Sequence, residues 1–178
     1  YLICDRTALW KYGLGAVQPF TLSVKQHLDS GYIAAADTIG DLAERLRMDR
    51  GTLVETVVEF NRHAEHGQDP AFGRGSNAYQ RHVGDGDHAP NPCVAPIVTP
   101  PFYAVQLWPS DLGTAAGLVT DEAARVLDGS GVPVRGLYAC GSDMNSMMRG
   151  AYPGPGITLG PAIVFGYLAA LDIAGRAA

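Results

Sequence analysis

The chain has 178 residues, 47% of them apolar, a formal net charge of −5 and three cysteines. That is enough apolar material to bury a core in one domain or in parts of two. The mild, unclustered charge argues against nucleic-acid and acidic-membrane partners, and the widely spaced Cys4, Cys93 and Cys140 suit neither a disulfide framework nor a zinc site.

The first five residues, Tyr1-Leu2-Ile3-Cys4-Asp5, form an apolar run that reads as the middle of a strand. Residues 1–36 also hold a loop signal, Tyr12-Gly13-Leu14-Gly15, and a second apolar patch at 32–36. Thr38-Ile39-Gly40-Asp41 is a capping-box pattern, with Ile39, Leu42 and Leu46 on one helical face behind it. Asp49 is a good cap for a second helix, in which Leu53, Val57, Phe60 and Ala64 recur at helical spacing before Gly67 stops it. These two helices read as scaffold. Residues 67–99 are rich in Gly, Asp, Asn and Pro, lack periodicity and exceed a usual connection, so the stretch is either functional or a bridge between domains. From Pro100 the pattern turns to β: strands are expected at 102–107 and 117–120, and a hairpin pairs 125–127 with 132–134 around Asp128-Gly129-Ser130-Gly131. The predicted fold class is mixed α/β.

Residues 136–166 carry the chemistry. A short apolar strand at 137–140 ends in Gly141, a Gly/Pro-rich loop follows, and an apolar helix is expected from near Gly156 to Ala174. Gly160, Pro161, Gly166 and Asp172 interrupt that helix, which reads as buried rather than membrane-spanning, and no targeting segment is legible. Gly141, Gly154 and Gly156 would let backbone approach a ligand closely. The N–H groups of Gly156, Ile157, Thr158 and Leu159, at the first turn, would be unpaired and aimed at it. A flat anionic ring or a phosphate suits such a site. The plainer alternative is a loop that only turns the chain onto a core helix.

The run from Gly136 to Asp143, followed by Tyr152-Pro153-Gly154-Pro155-Gly156-Ile157-Thr158-Leu159-Gly160, resembles the C-terminal FAD-binding segment of the fumarate reductase and 3-ketosteroid dehydrogenase flavoprotein superfamily. The ketosteroid branch is the closer match. Met148-Arg149-Gly150-Ala151 stands where the fumarate reductase branch usually carries a His-Gly-Ala-Asn-Arg type stretch. Pro100-Pro101-Phe102-Tyr103-Ala104, Gly113-Thr114-Ala115-Ala116-Gly117-Leu118 and Arg125-Val126-Leu127-Asp128 extend the resemblance upstream. No Gly-x-Gly-x-x-Gly fingerprint opens the chain, so it is expected to be the C-terminal part of a longer enzyme whose N-terminal portion holds the adenosine half of FAD.

The resemblance implies FAD as cofactor, a cap-domain part at 1–97 and the returning segment of a Rossmann-like FAD-binding domain at 98–178. It implies an oxidoreductase acting on a C–C bond next to a ketone, a 3-ketosteroid-like substrate, with hydride passing to the flavin. Tyr152 and the Gly156 N–H would hold the ketone oxygen as an oxyanion hole. Gly141, Ser142, Asp143, Gly154, Ile157, Thr158 and Leu159 would contact the cofactor. A tyrosine base from the cap is implied, for which Tyr12 and Tyr79 are the available candidates. The competing readings are a fumarate reductase or succinate dehydrogenase-like flavoprotein and a non-catalytic remnant domain. No metal site is expected: His63 and His66 beside Gly67 read as helix C-terminal side chains. Met144, Met147 and Met148 line an apolar pocket or fill core gaps. A cytoplasmic location is expected.

Overall fold

The computed structural model describes residues 1–175; residues 176–178, the end of the segment read as 98–178, lie outside the described residues. The chain divides into two compact units, Tyr1–Trp108 and Pro109–Ala178.

In the first unit, β1 (Leu2–Asp5) and β2 (Ile33–Ala36) flank β3 (Phe102–Val105), both antiparallel to it, with Leu2 and Ile33 opposite Val105. All four β3 residues are buried, as expected of a central strand. The expected strand at 102–107 stops at Val105. Between β1 and β2 lie two helices that lack a strong periodic signal, α1 (Arg6–Tyr12) and α2 (Lys25–Asp29). Asp5 starts α1: its Oδ1 accepts from the Ala8 N–H at 2.9 Å and its Oδ2 from the Thr99 N–H at 3.0 Å. One buried carboxylate thus caps a helix and holds the chain entering β3.

The two scaffold helices form where the sequence puts them. Thr38 Oγ1 accepts from the Asp41 N–H at 3.0 Å to start α3 (Ile39–Arg45), and Asp49 Oδ1 accepts from the Thr52 N–H at 2.7 Å to start α4 (Arg50–Ala64). Leu42 and Ala43 are fully enclosed and pack with Leu53, Val57, Phe102 and Ala104 against one face of the sheet. Gly67, at φ +66°, turns the chain out of α4, donating to the Ala64 carbonyl at 2.9 Å. The 67–99 stretch includes a short helix, α5 (Ala78–Val83), that its composition hides.

In the second unit, β4 (Arg125–Leu127) and β5 (Pro133–Tyr138) make the expected hairpin. Asp128 Oδ1 accepts from the N–H groups of Ser130 and Val132 at the tip. The segments expected as separate strands at 132–134 and 137–140 are one strand, kinked at Gly136 with φ +78°. The expected strand at 117–120 reduces to isolated bridges, Leu118 to Met144 and Thr120 to Val126. The last helix, α6, spans Leu159–Ile173. Tyr138 Oη donates to Asp172 Oδ2 at 2.7 Å, tying β5 to the far end of α6.

Candidate functional site

The hairpin delivers the chain to a 3₁₀ turn, Gly141–Asp143. Gly141 sits at φ +63°, and a Cβ there would lie 3.1 Å from the Ala162 Cβ, so glycine serves both the turn and the close approach of α6. The Ser142 carbonyl accepts from Thr114 Oγ1 at 2.5 Å, and the Asp143 carbonyl from the Leu118 N–H at 2.9 Å. The side chains of Ser142 and Asp143 stay exposed, with no protein hydrogen bond among the described residues. Gly117 is equally constrained: a Cβ on it would meet the Asp143 carbonyl oxygen at 2.5 Å. The result is a cleft of about 620 Å³ lined by Thr114, Gly117, Leu118, Cys140, Ser142 and Asp143. Thr114 and Gly117 fall in the 113–118 stretch that extends the resemblance, which assigns them no place in a site. Their signal is the run of small residues at 113–117, which lets two backbone segments lie against each other.

Past the turn, Met144 is buried with Val126, Ala139 and Phe165, whereas Met147 is exposed. Of the two roles open to the methionines, Met144 takes the core. The Ser146 carbonyl accepts from the Arg149 N–H at 3.0 Å, and the Met148 carbonyl from the Ala151 N–H at 3.0 Å. Arg149 (φ +52°) and Gly150 (φ +84°) are both left-handed, which reverses the chain just before Tyr152. Tyr152 is 57% exposed, and its hydroxyl makes no protein hydrogen bond among the described residues.

The helix expected from near Gly156 begins at Leu159. Gly156 has φ +96°, outside the helical region, so the first turn forms only after it. Gly160 then donates to the Gly156 carbonyl at 2.7 Å and Ala162 to the Thr158 carbonyl at 3.3 Å. The N–H groups of Gly154, Gly156, Ile157, Thr158 and Leu159 have no protein acceptor among the described residues. Thr158, at the N-cap, makes no side-chain cap bond, and nothing lies within 4 Å of where a Gly156 Cβ would point. These donors are open to an external acceptor. The structure thus brings the residues at 141–143 and at 154–159 to the same end of α6, which packs on the 3₁₀ turn.

The candidate bases differ. Tyr12 Oη donates to Asp85 Oδ2, which also takes Lys11 Nζ at 2.6 Å. Burial and then the hydrogen bond to Asp85 push the Tyr12 phenol above its ordinary range, the wrong direction for a base. Tyr79 is half-exposed. His63 Nε2 lies 2.9 Å from Glu59 Oε1, and no cluster of three or more metal-ligating side chains occurs among the described residues. No helix among them is long and apolar enough to cross a membrane.

A family model described as "FAD binding domain" matches residues 1–159. The chain is 42% identical over 178 residues to a 3-oxosteroid 1-dehydrogenase of Mycolicibacterium smegmatis, covering 100% of this chain and 31% of that protein. It is 41% identical over 174 residues to a 4-oxocyclohex-2-ene-1-carboxylate 5-dehydrogenase of Sinomonas cyclohexanicum, covering 98% of this chain and 30% of that one. The crystal structure of a 3-ketosteroid delta1-dehydrogenase from Sterolibacterium denitrificans, in complex with 1,4-androstadiene-3,17-dione, superposes with a TM-score of 0.85 at 40% identity, over 97% of this chain and 31% of that one. The chain therefore spans about a third of the length of these relatives.

Proposed function

The chain belongs to the FAD binding domain family, and on that premise we propose that it is part of an FAD-dependent dehydrogenase acting on a C–C bond next to a ring ketone, with a 3-ketosteroid-like substrate. The relatives named above share that chemistry in their names: each takes hydrogen from a ring that carries an oxo group. The observation that carries the reading is the row of unpartnered N–H groups at 154 and 156–159 directly after Tyr152. Such a row suits the electron-rich edge of a flavin, where negative charge gathers on reduction.

In this reading Gly141, Ser142, Asp143, Gly154, Ile157, Thr158 and Leu159 hold FAD. FAD, when bound, supplies the two-electron acceptor for the hydride leaving the substrate carbon. The Tyr152 hydroxyl and the Gly156 N–H donate to the ketone oxygen, where charge develops as the neighbouring carbon loses its proton. Pro153 and Pro155 fix φ on either side of Gly154, which restricts the backbone that joins the two donors. Residues 1–97 are assigned to the cap and 98–178 to the returning segment of the flavin domain, although 98–108, with the central strand β3, folds with the first unit. The adenosine-binding portion is assigned to the part of its relatives' length that this chain does not span. Three unpaired thiols are in keeping with a cytoplasmic location.

The test is Tyr152→Phe in the full-length protein, assayed with a 3-ketosteroid and an artificial electron acceptor. Loss of one oxyanion donor is expected to lower kcat on the order of 10²-fold with flavin content unchanged. Unchanged turnover would remove Tyr152 from the mechanism.

A further inference from the structure

The long 67–99 stretch builds something that the flavin site does not use. We propose that the cleft between α4 and the 69–76 loop is a second small-molecule site, for a flat, neutral, apolar compound carrying one carbonyl or hydroxyl oxygen. This does not rest on the flavin reading.

The cleft has a volume of about 610 Å³, within the range of small-molecule sites. Leu53, Val57 and Phe60 of α4, with Ile97, supply apolar walls. Phe72 closes one side and is 81% exposed within this chain, and a flat ligand would cover its ring. The Arg74 guanidinium lies 5.2 Å from the Phe60 ring centroid and 5.8 Å from that of Phe72. Only its Nε is committed, to Asp69 Oδ2 at 2.5 Å; its terminal nitrogens have no carboxylate partner among the described residues. They remain available to an oxygen acceptor.

Hydrogen bonds hold the backbone of the loop without a ligand. Asp69 and Asn91 are both buried. Asp69 accepts from the Gly73 N–H through its carbonyl at 2.7 Å, and Asn91 Nδ2 donates to the Gly67 and Arg74 carbonyls at 2.8 and 2.9 Å. The ordering cost of the loop backbone is therefore met on folding, which favours binding. Charge selects the ligand class. Glu59 is paired with Arg62 and His63, and Asp69 with Arg74, so the lining carries no unpartnered carboxylate and a neutral oxygen on an apolar frame fits.

The probe is Nile red, a neutral, flat dye with a ring carbonyl, titrated by fluorescence into the full-length flavoprotein. Phe72→Ala, at an exposed position, is expected to weaken binding about tenfold. Thr56→Trp, which fills the cleft, should abolish it, and Tyr152→Phe should leave it unchanged; melting curves confirm that each variant is folded. Absence of binding, affinity indifferent to Phe72→Ala and Thr56→Trp, or affinity that follows Tyr152→Phe overturns the proposal. None of these outcomes bears on turnover at the flavin site, so the two readings fail separately.

Discussion

Gly141 and Ala162 touch: a Cβ on the glycine would stand 3.1 Å from the alanine's, at a backbone φ of +63°. This contact joins the turn holding Ser142 and Asp143 to the first turns of α6, so it sets the spacing between the two halves of the proposed cofactor site.

Gly141→Ala is accordingly expected to cost about 1–2 kcal/mol for the left-handed conformation, with the close contact to Ala162 adding to it. In the full-length protein this should appear as a lower Tm and faster loss of flavin on gel filtration. Gly129→Ala, at the hairpin tip, where nothing lies within 4 Å of the new methyl, is the matched control and should leave flavin retention unchanged.

Thr38→Ala removes the oxygen that accepts from the Asp41 N–H at the start of α3. The expected loss is about 1 kcal/mol, and Thr38→Ser should recover most of it. Chemical denaturation of the three proteins measures both.

Acid sensitivity follows from Asp85. Hydrogen bonds from Lys11, then from Tyr12, pull its carboxyl from 3.8 down to about 2. A folded-state value below the unfolded one gives stability that is fully present above about pH 4 and is lost as pH falls toward 2. Asp85→Asn should flatten this part of the acid limb in denaturation midpoints measured against pH. A second contribution remains over the same window, because Arg62, then His63, holds Glu59 at about 2.

The scaffold was the most legible part of the fold, and for a physical reason. Thr38, Asp49 and the Leu53, Val57, Ala64 stripe each satisfy a local rule, and local rules survive folding. The element ends at the site were less legible because tertiary geometry sets them. The left-handed Gly156 delays α6 to Leu159, and Gly136 bends one strand without ending it. Thr114 and Gly117 lie in the stretch that carries the resemblance, but their place in the cleft is not legible because it depends on a close approach of two segments far apart in sequence. α5 was hidden by a loop-like composition, although Asn77 caps it by accepting from the Gln80 N–H at 2.9 Å. The glycines at 154 and 156 are legible from the Gly/Pro run ahead of an apolar helix, whereas the role of Tyr152 comes from the family resemblance alone.

The central claim is that the N–H groups of Gly154, Ile157, Thr158 and Leu159 are satisfied by bound flavin. Amide hydrogen exchange on the full-length protein, with and without FAD, tests it at those amides. At least about tenfold slower exchange is expected at Gly154, Ile157, Thr158 and Leu159 in the loaded protein, with the hairpin tip at Gly129 and Ser130 unchanged. Equal exchange at Gly154 and 157–159 in both forms would contradict it.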